Sequence, residues 1–361
     1  MAQAAPRSRA AAAMWSLRAL QGLPTASGRR LHAPTRRALA AAASSPLHVE
    51  TPLVFSEPLS EHLGADVHLK MDCLQIPGSF KIRGIGETVR SSVSAGAKAV
   101  FASSGGNAGL AAAYAARAMG VPCTVVLPST TPPSIHDRLE RYKAEVIVEG
   151  NVWDEADAHA RQLAAQREGA YIHPFDQEST WRGHATLVEE LSRQLPKAPD
   201  AIVTCVGGGG LLMGILTGLE AVGWLGSTRV VAGETQGAAS MAKSLEAGEL
   251  VKLPGITSIA KSLGALQVSR TVFERCKELG PEKVRPFVTT DDAAVAACLR
   301  LCSDHRVLVE PACGAALAAV TERSEALQGC SSVVVEVCGG AVVDFGSMVA
   351  WAQDLGVPLG A

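Results

Sequence analysis

Short apolar runs of strand length alternate with segments of helical period from Thr51 onward. Near-continuous Val and Ile runs are typical of strands that are buried on both faces of a parallel sheet. The pattern predicts a two-domain α/β fold with open, mostly parallel sheets and helices on both faces. Strands are predicted at residues 67–72, 98–104, 122–128, 144–150, 201–206, 229–235 and 332–338. Helices are predicted at residues 107–120, 134–144 and 152–169, with further helical segments after the later strands.

A polar stretch that contains proline, HPFDQESTW at residues 173–181, separates two series of strands and helices. We therefore predict a small domain at residues 80–178 and a large domain made of residues 47–79 and 179–361. Small ligands usually bind between domains, so we expect a site at this junction.

The first 46 residues differ from the rest, because they are rich in Ala, Arg and Ser and the first acidic residue is Glu50. This composition is typical of an organelle transit peptide. We expect a mitochondrial presequence and exclude residues 1–46 from the fold. The alternatives are a plastid transit peptide, a disordered tail on a cytoplasmic protein, and a wrongly assigned start codon.

Composition and charge exclude several classes of protein. The chain has 361 residues, of which 47% are hydrophobic and 19% charged, and its formal net charge is −2. It is too apolar to be disordered, and its charge gives no reason to expect nucleic acid or a membrane surface as a partner. No apolar run is as long as a transmembrane helix. The nine scattered cysteines indicate a reducing compartment rather than a disulfide framework.

The segment GSFKIRG, residues 78–84, places Lys81 between Phe80 and Ile82. A lysine that is kept among apolar neighbours has a lowered pKa, and its amine becomes a nucleophile. The alternative is a lysine at a helix start whose side chain reaches solvent. The heptapeptide alone does not decide between the two.

Four consecutive glycines, Gly207, Gly208, Gly209 and Gly210, follow a predicted strand and precede a predicted helix. Backbone amides at a helix N-terminus bind anions, above all phosphate, and glycines leave these amides accessible. The spacing matches neither the dinucleotide-binding fingerprint nor the P-loop. We therefore expect a phosphate site, and a merely flexible turn is the weaker alternative.

Two more predicted strand ends carry polar groups. In SSGGNAG, residues 103–109, Ser104 and Asn107 can bind a carboxylate, although an ordinary helix cap is the alternative. In VEVCGG, residues 335–340, Cys338 is placed at the same edge, with a structural cysteine as the alternative. One ligand explains the lysine, the phosphate site, the carboxylate site and this cysteine together. Pyridoxal phosphate offers an aldehyde to the lysine and a phosphate to the glycines, and its amino-acid substrate brings a carboxylate.

The motifs GSFKIRG, SSGGNAG, VGGGGLL, VEPACGAALAAV and VCGG occur in this order. With them the chain resembles the fold-type II, tryptophan synthase β-like pyridoxal-phosphate enzymes over about residues 50–345. Within that family it is similar to the animal L-serine dehydratase/L-threonine deaminase group, including its serine dehydratase-like member. The resemblance implies a homodimer that acts in amino-acid catabolism and gluconeogenesis. The implied reaction is β-elimination, from L-serine to pyruvate and ammonia and from L-threonine to 2-oxobutanoate and ammonia.

The resemblance also assigns roles to residues of this chain. Lys81 would form the Schiff base and remove the Cα proton, Phe80 would pack on the cofactor ring, and Cys338 would lie at the ring nitrogen. The substrate carboxylate would be bound by Ser104, Gly105, Asn107 and Ala108, of which Asn107 also reaches the ring hydroxyl. The phosphate would be bound by Gly207, Gly208, Gly209 and Gly210, and it would protonate the departing hydroxyl.

A potassium ion is implied as well. Its ligands would be the Glu234 carboxylate and the carbonyl groups of Gly207, Ala238, Leu263 and Ala265. A hard cation prefers oxygen ligands, which this set provides. For Glu234 a buried, paired carboxylate is the alternative.

Three departures from the family pattern leave other functions open. Gly105 stands where serine racemases carry the serine that acts on the second face of the substrate. The more active dehydratases carry alanine there, and the serine dehydratase-like member carries glycine. Racemisation is therefore disfavoured, while a racemase-like enzyme and a weakly active, regulatory pyridoxal-binding protein remain alternatives. Ile76-Pro77 replaces the usual Pro-Ser, and Ala341 replaces Asn or Ser near the ring nitrogen. Cysteine synthase and threonine synthase carry serine or threonine at the position of Cys338, which argues against both.

Overall fold

A computed structural model gives the fold over residues 45–131 and 133–359. Nearly all of the predicted leader lies outside these described residues, and its prediction stays untested. Strands and helices alternate along the described chain, so the α/β prediction is confirmed. No helix in the described ranges combines the length and the apolar character that a membrane crossing needs.

Six strands form the larger sheet: β1 (Leu53–Phe55), β2 (Asp66–Lys70), β7 (Ala201–Cys205), β8 (Arg229–Thr235), β9 (Val284–Thr289) and β10 (Ser332–Glu336). Their order is β1-β2-β10-β7-β8-β9. The edge strand β1 is antiparallel to β2, and all other neighbours in this sheet pair in parallel.

Four parallel strands form the smaller sheet: β3 (Val100–Ala102), β4 (Cys123–Leu127), β5 (Glu145–Val148) and β6 (Ala170–Tyr171). Their order is β5-β4-β3-β6. Every residue of β3 and β4 is buried, as their mainly apolar sequences predict. The chain passes from the smaller sheet to the larger one between β6 and β7, and the predicted domain limits themselves stay a prediction.

Helices cover both sheets. In the first half of the described chain they are α1 (Glu57–Leu63), α2 (Lys81–Ser94), α3 (Asn107–Met119), α4 (Pro133–Arg141), α5 (Trp153–Gln166) and α6 (Glu178–Gln194). In the second half they are α7 (Gly210–Ala221), α8 (Ser240–Ala247), α9 (Arg270–Leu279), α10 (Asp291–His305), α11 (Pro311–Thr321) and α12 (Phe345–Asp354).

Three strands had no counterpart in the sequence prediction: β1, β6 and β9. β1 and β6 contain only three and two residues, which is too short for a recognisable alternation. β9 contains Pro286, a residue that argues against a strand when the sequence is considered alone. Proline is tolerated there because β9 lies at the edge of the sheet.

A buried group of ion pairs anchors the helix that begins at Lys81. Arg83 has no exposed side-chain surface, and its Nε and Nη2 donate to the two carboxylate oxygens of Asp72, at 2.7 and 2.8 Å. Its Nη1 and Nη2 donate to the oxygens of Glu190 on α6, at 2.6 and 2.8 Å. Lys70 Nζ lies 2.6 Å from the same Glu190 carboxylate. These contacts hold α2 against α6 and the end of β2, and thereby set the position of Lys81.

Candidate active site

Lys81 is the first residue of α2 and is half-buried. Its Nζ donates a hydrogen bond to the Pro174 carbonyl at 2.8 Å and lies 5.2 Å from the centroid of the Phe80 ring. Burial lowers the pKa of the Lys81 amine from 10.5 to about 8. The contact with a carbonyl rather than a carboxylate leaves this pKa low, so the amine is suited to nucleophilic attack.

The lysine turn (Gly78–Lys81) is bound to the end of β10. Phe80 N donates to the Cys338 carbonyl at 2.8 Å, and Gly340 N donates to the Gly78 carbonyl at 3.2 Å. Gly78 has φ +87°, and a Cβ at this glycine would lie 3.1 Å from the Cβ of Ala341. These contacts bring Lys81 and Cys338 to one place, although 257 positions separate them in the sequence.

The glycine loop (Gly207–Gly210) follows β7 and leads into α7. Gly209 has φ +90° and caps the helix. A Cβ at Gly208 would lie 2.4 Å from the Phe175 ring, so this position has no room for a side chain. Within the described residues, the amides of Gly208, Gly209 and Gly210 do not donate to any backbone carbonyl. Unpaired amides at a helix N-terminus form an anion site, which fits the phosphate predicted from the sequence.

The carboxylate loop (Ser103–Gly109) lies between β3 and α3. Ser104 Oγ accepts from Gly106 N at 3.2 Å, and Gly105 is partly exposed. Asn107 and Ala108 are buried in the first turn of α3, and Asn107 Oδ1 has no hydrogen-bond partner among the described residues. A buried amide oxygen without a partner fits a position that a ligand would contact.

Glu234, at the end of β8, is fully buried. Its two oxygens accept from the amides of Met241 and Ala242 at 2.9 and 2.7 Å, where α8 begins. Burial raises the pKa of this carboxyl to about 7, although both amides oppose that shift.

The other predicted potassium ligands lie in turns and loops that follow strands or short helices. Ala238 follows β8 in a short turn, and Gly207 packs closely on Leu263. Ala265 N donates to the Leu263 carbonyl at 2.7 Å.

The thiol of Cys338 lies among other buried groups. Its Sγ is 3.6 Å from Cys205 Sγ at the end of β7. The thiols of Cys205 and Cys313, and then burial, raise the pKa of Cys338 well above its ordinary value. Cys338 is therefore neutral near pH 7. Glu336, two residues earlier, is also fully buried, and its pKa is raised well above the ordinary value by burial.

The residues present fit pyridoxal phosphate. An amine with a lowered pKa, unpaired amides at a helix start and a buried amide oxygen without a partner converge at the carboxyl ends of parallel strands. A family of proteins described as pyridoxal-phosphate dependent enzymes matches residues 44–339. The chain belongs to this family.

Several members of the family are similar over most of this chain. The human protein named serine dehydratase-like is 45% identical over 323 residues, which cover 87% of this chain and 97% of that protein. Human L-serine dehydratase/L-threonine deaminase is 46% identical over 321 residues, which cover 86% and 97%. Among solved structures, an L-serine ammonia-lyase from the fungus Rhizomucor miehei superposes with a TM-score of 0.80 at 35% identity. That superposition covers 86% of this chain and all of the fungal one.

Two buried residues beside the candidate active site, Glu310 and His184, were not predicted from the sequence. Glu310 accepts a hydrogen bond from Asn107 Nδ2 at 2.9 Å. Its position before Pro311 at a helix start in VEPACG was a usable indication, because acidic residues favour helix N-termini. His184 lies 5.1 Å from the Phe80 ring centroid, and neither ring nitrogen has a partner among the described residues. No sequence pattern pointed to His184, since α6 brings it to Phe80 from a distant part of the chain.

Proposed function

We propose that this protein deaminates L-serine to pyruvate and ammonia, and L-threonine to 2-oxobutanoate and ammonia, by β-elimination. The main support for this proposal is the hydrogen bond from Phe80 N to the Cys338 carbonyl. It places the Lys81 turn next to the neutral thiol of Cys338 at the end of β10. The names of the similar proteins, which refer to serine and threonine deamination, support the same reaction.

Lys81 has two tasks in this proposal. Bound pyridoxal phosphate supplies an aldehyde that captures an amine and a ring that stabilises negative charge at the substrate Cα. Lys81 supplies the amine that holds the cofactor, and as a free amine it accepts the Cα proton. A pKa of about 8 leaves far more of this amine unprotonated near pH 7 than an ordinary lysine would have.

The two loops position the reactants. We assign the phosphate to Gly207, Gly208, Gly209 and Gly210, whose amides donate to no backbone carbonyl in the part of the chain that the structure describes. We assign the substrate carboxylate to Ser104, Gly105, Asn107 and Ala108, at the start of α3. Phe80, which is only 8% exposed, would cover one face of the ring and exclude water from it.

Cys338 is assigned to the ring nitrogen. Because its thiol is neutral, it stabilises a protonated ring nitrogen much less than a carboxylate would. Such a partner favours prompt loss of the β-hydroxyl over transamination. The hydroxyl leaves as water, and the released enamine converts to an imine that water hydrolyses to the oxo acid and ammonia.

Gly105 argues against a racemase. A racemase needs an acid or base on the second face of the substrate, and glycine has neither. A Cβ at Gly105 would lie 2.8 Å from Thr131 Cγ2, so a serine would fit here only if Thr131 moved.

We also propose a potassium ion bound by Glu234 and the carbonyl groups of Gly207, Ala238, Leu263 and Ala265. The burial of Glu234 and the close packing of Gly207 on Leu263 support this site. Thermal unfolding should then shift upward with potassium chloride, relative to sodium chloride of equal ionic strength, and the shift should grow with concentration. Identical melting curves in the two salts would contradict the ion site.

A homodimer and a mitochondrial location complete the proposal, and both follow from the sequence resemblance and the leader composition. Analytical ultracentrifugation of protein that lacks residues 1–46 tests the dimer, which a sedimenting monomer would exclude. A fluorescent protein fused to residues 1–46 tests the location, and diffuse fluorescence throughout the cytoplasm would contradict it.

The decisive experiment is an assay for oxo-acid release by protein that lacks the leader, with pyridoxal phosphate and potassium. Separate reactions contain L-serine or L-threonine, and the variants are Lys81→Ala and, as a control, exposed Lys98→Ala. Release by the parent and Lys98→Ala, but not by Lys81→Ala, supports the proposal. A parent that binds the cofactor and releases neither oxo acid would overturn the dehydratase assignment in favour of a racemase or regulatory protein.

A further inference from the structure

Three buried side chains of types that commonly bind metals lie close together at the candidate active site. The thiols of Cys205 and Cys338 and a carboxylate oxygen of Glu336 all lie within 4.8 Å of one another, and all three residues are buried. Their convergence follows from the sheet, because Cys205 ends β7 while Glu336 ends the neighbouring parallel strand β10. Cys338 follows Glu336 by two residues, so strand alternation places both side chains toward the same side.

The sulfur separation is that of a metal site. Cys205 Sγ and Cys338 Sγ lie 3.6 Å apart. Two thiolates in a tetrahedral zinc site, each about 2.3 Å from the ion, are about 3.8 Å apart. The two sulfurs therefore need almost no movement to bind one ion.

Glu336 supplies the second, independent observation. Its side chain is fully buried, and neither carboxylate oxygen has a hydrogen-bond partner among the described residues. Burial of a carboxyl group without a partner is costly, and a cation held beside it removes that cost. The proposed deamination gives this carboxyl group no task, so it is available as a metal ligand.

A fourth donor is close by. Cys313, in the first turn of α11, is fully buried and interacts with the Cys338 thiol. Cys205, Glu336 and Cys338 supply three ligands, and zinc sites with three protein ligands keep a fourth position open. Thiolate-rich sets select soft or borderline cations over magnesium or calcium.

We propose that Cys205, Glu336 and Cys338 form a binding site for a thiophilic divalent cation, Zn²⁺ or a similar ion, whose occupancy opposes cofactor binding. The second half of this statement rests on the proposed function, which places Cys338 at the cofactor ring. An ion bound to Cys338 Sγ would occupy the thiol that we assign to the ring nitrogen of pyridoxal phosphate. The cation would therefore act as an inhibitor of the enzyme and bind most tightly when the cofactor is absent.

Cobalt is a suitable probe, because thiolate ligands give Co²⁺ a charge-transfer absorption band. The full chain, freed of cofactor and kept reduced with a phosphine, is titrated with Co²⁺ and then with Zn²⁺ as competitor. The variants are Cys205→Ala and the nearly isosteric Glu336→Gln. The matched control is Cys123→Ala, a buried cysteine on β4 of the smaller sheet.

The parent and Cys123→Ala should bind one Co²⁺ per chain with a thiolate band that Zn²⁺ removes. Cys205→Ala and Glu336→Gln should bind at least about 10-fold more weakly. If Cys205→Ala does not fold, Glu336→Gln decides alone, because it keeps the shape of the side chain. Absence of the band in the parent, or equal binding by parent and folded variants, overturns the proposal.

Competition is measured separately, by the absorbance of bound pyridoxal phosphate in the same proteins. Zn²⁺ should slow cofactor uptake in the parent and in Cys123→Ala, but not in Glu336→Gln. Uptake that is unaffected by saturating Zn²⁺ would overturn the inhibitory role. The cobalt titration uses protein without cofactor, so its outcome does not depend on whether the parent deaminates serine.

Discussion

Asn107 donates from Nδ2 to Glu310 Oε1 across 2.9 Å, and this bond joins the two halves of the candidate site. Asn107 begins α3 beside the smaller sheet, whereas Glu310 immediately precedes α11 beside the larger one. Burial raises the pKa of Glu310, although Ser262, Asn107 and Lys81 oppose the shift. The bond therefore fixes the amide that we assign to the substrate and the ring hydroxyl.

Replacement of Glu310 should impair catalysis through Asn107. Glu310→Ala removes the acceptor, and we expect kcat/KM for L-serine to fall by about 10- to 100-fold, because small misplacement of a contacting group is costly. Glu310→Gln keeps an acceptor oxygen and should lose less than about 10-fold. Steady-state kinetics measure both, and circular dichroism of the bound cofactor reports its orientation. Exposed Glu249→Ala is the control, and an effect of equal size there would refute the positioning role.

Cofactor capture should depend on pH through Lys81. The folded-state pKa of about 8 lies below the ordinary value of 10.5, so the reactive neutral amine forms as the pH rises through about 8. We expect the rate at which cofactor-free protein takes up pyridoxal phosphate to rise with pH around that midpoint. Stopped-flow absorbance at a series of pH values measures the rate. A midpoint near 10.5 would show that burial does not lower this pKa.

The same pKa shift has a consequence for stability. Between pH 8 and 10.5 the unfolded chain holds a proton on Lys81 that the folded chain has lost. The unfolded state therefore binds more protons in this window, and the free energy of unfolding contributed by Lys81 rises with pH. Urea unfolding of the cofactor-free parent and Lys81→Met tests this sign. The parent should gain stability relative to the variant from pH 8 to 10, and a relative loss would contradict the prediction.

Gly105 and Thr131 should behave as a coupled pair. A Cβ at Gly105 would lie 2.8 Å from Thr131 Cγ2 and 3.1 Å from its Oγ1. Gly105→Ala should therefore cost about 1 kcal/mol or more of stability and reduce kcat, because the carboxylate loop must shift. Thr131→Ala removes both close atoms, so the double variant should regain much of the loss. Urea unfolding and oxo-acid assays of the four proteins form a double-mutant cycle, and additive effects would exclude the contact.

The buried ion pairs of Arg83 should be essential for stability. Arg83→Met leaves the buried Asp72 carboxylate without a cation and leaves Glu190 with Lys70, so we expect a loss of about 3–5 kcal/mol in the free energy of unfolding. Arg182→Met breaks an exposed pair with Glu178 and should cost less than about 1 kcal/mol. Urea denaturation measures both, and similar losses in the two variants would contradict this difference.

Much of the fold could be predicted because its strands are buried on both faces. β4, β7 and the middle of β8 consist mostly of Val, Ile, Ala and Cys and are buried throughout, which distinguishes a parallel sheet from one with a solvent face. The strands that were not predicted, β1, β6 and β9, are short or lie at the edge of a sheet. β9 carries a proline that only an edge position tolerates, and no local pattern indicates which strand will be an edge.

The sequence by itself determined the class of fold, because the alternation of strands and helices depends on local composition and order. Its motifs also predicted a reactive Lys81 and a phosphate site at the glycine loop, whereas the burial that lowers the pKa of Lys81 depends on tertiary packing. Tertiary structure alone decided which distant side chains meet. The bond between Asn107 and Glu310 spans 203 positions, and the contact between Cys205 and Cys338 spans 133. Such pairs arise where the carboxyl ends of parallel strands and the starts of helices converge, and that convergence depends on strand order. A carboxyl group such as Glu336 looks ordinary in the sequence, and only the neighbours that the sheet brings to it give it a chemical role.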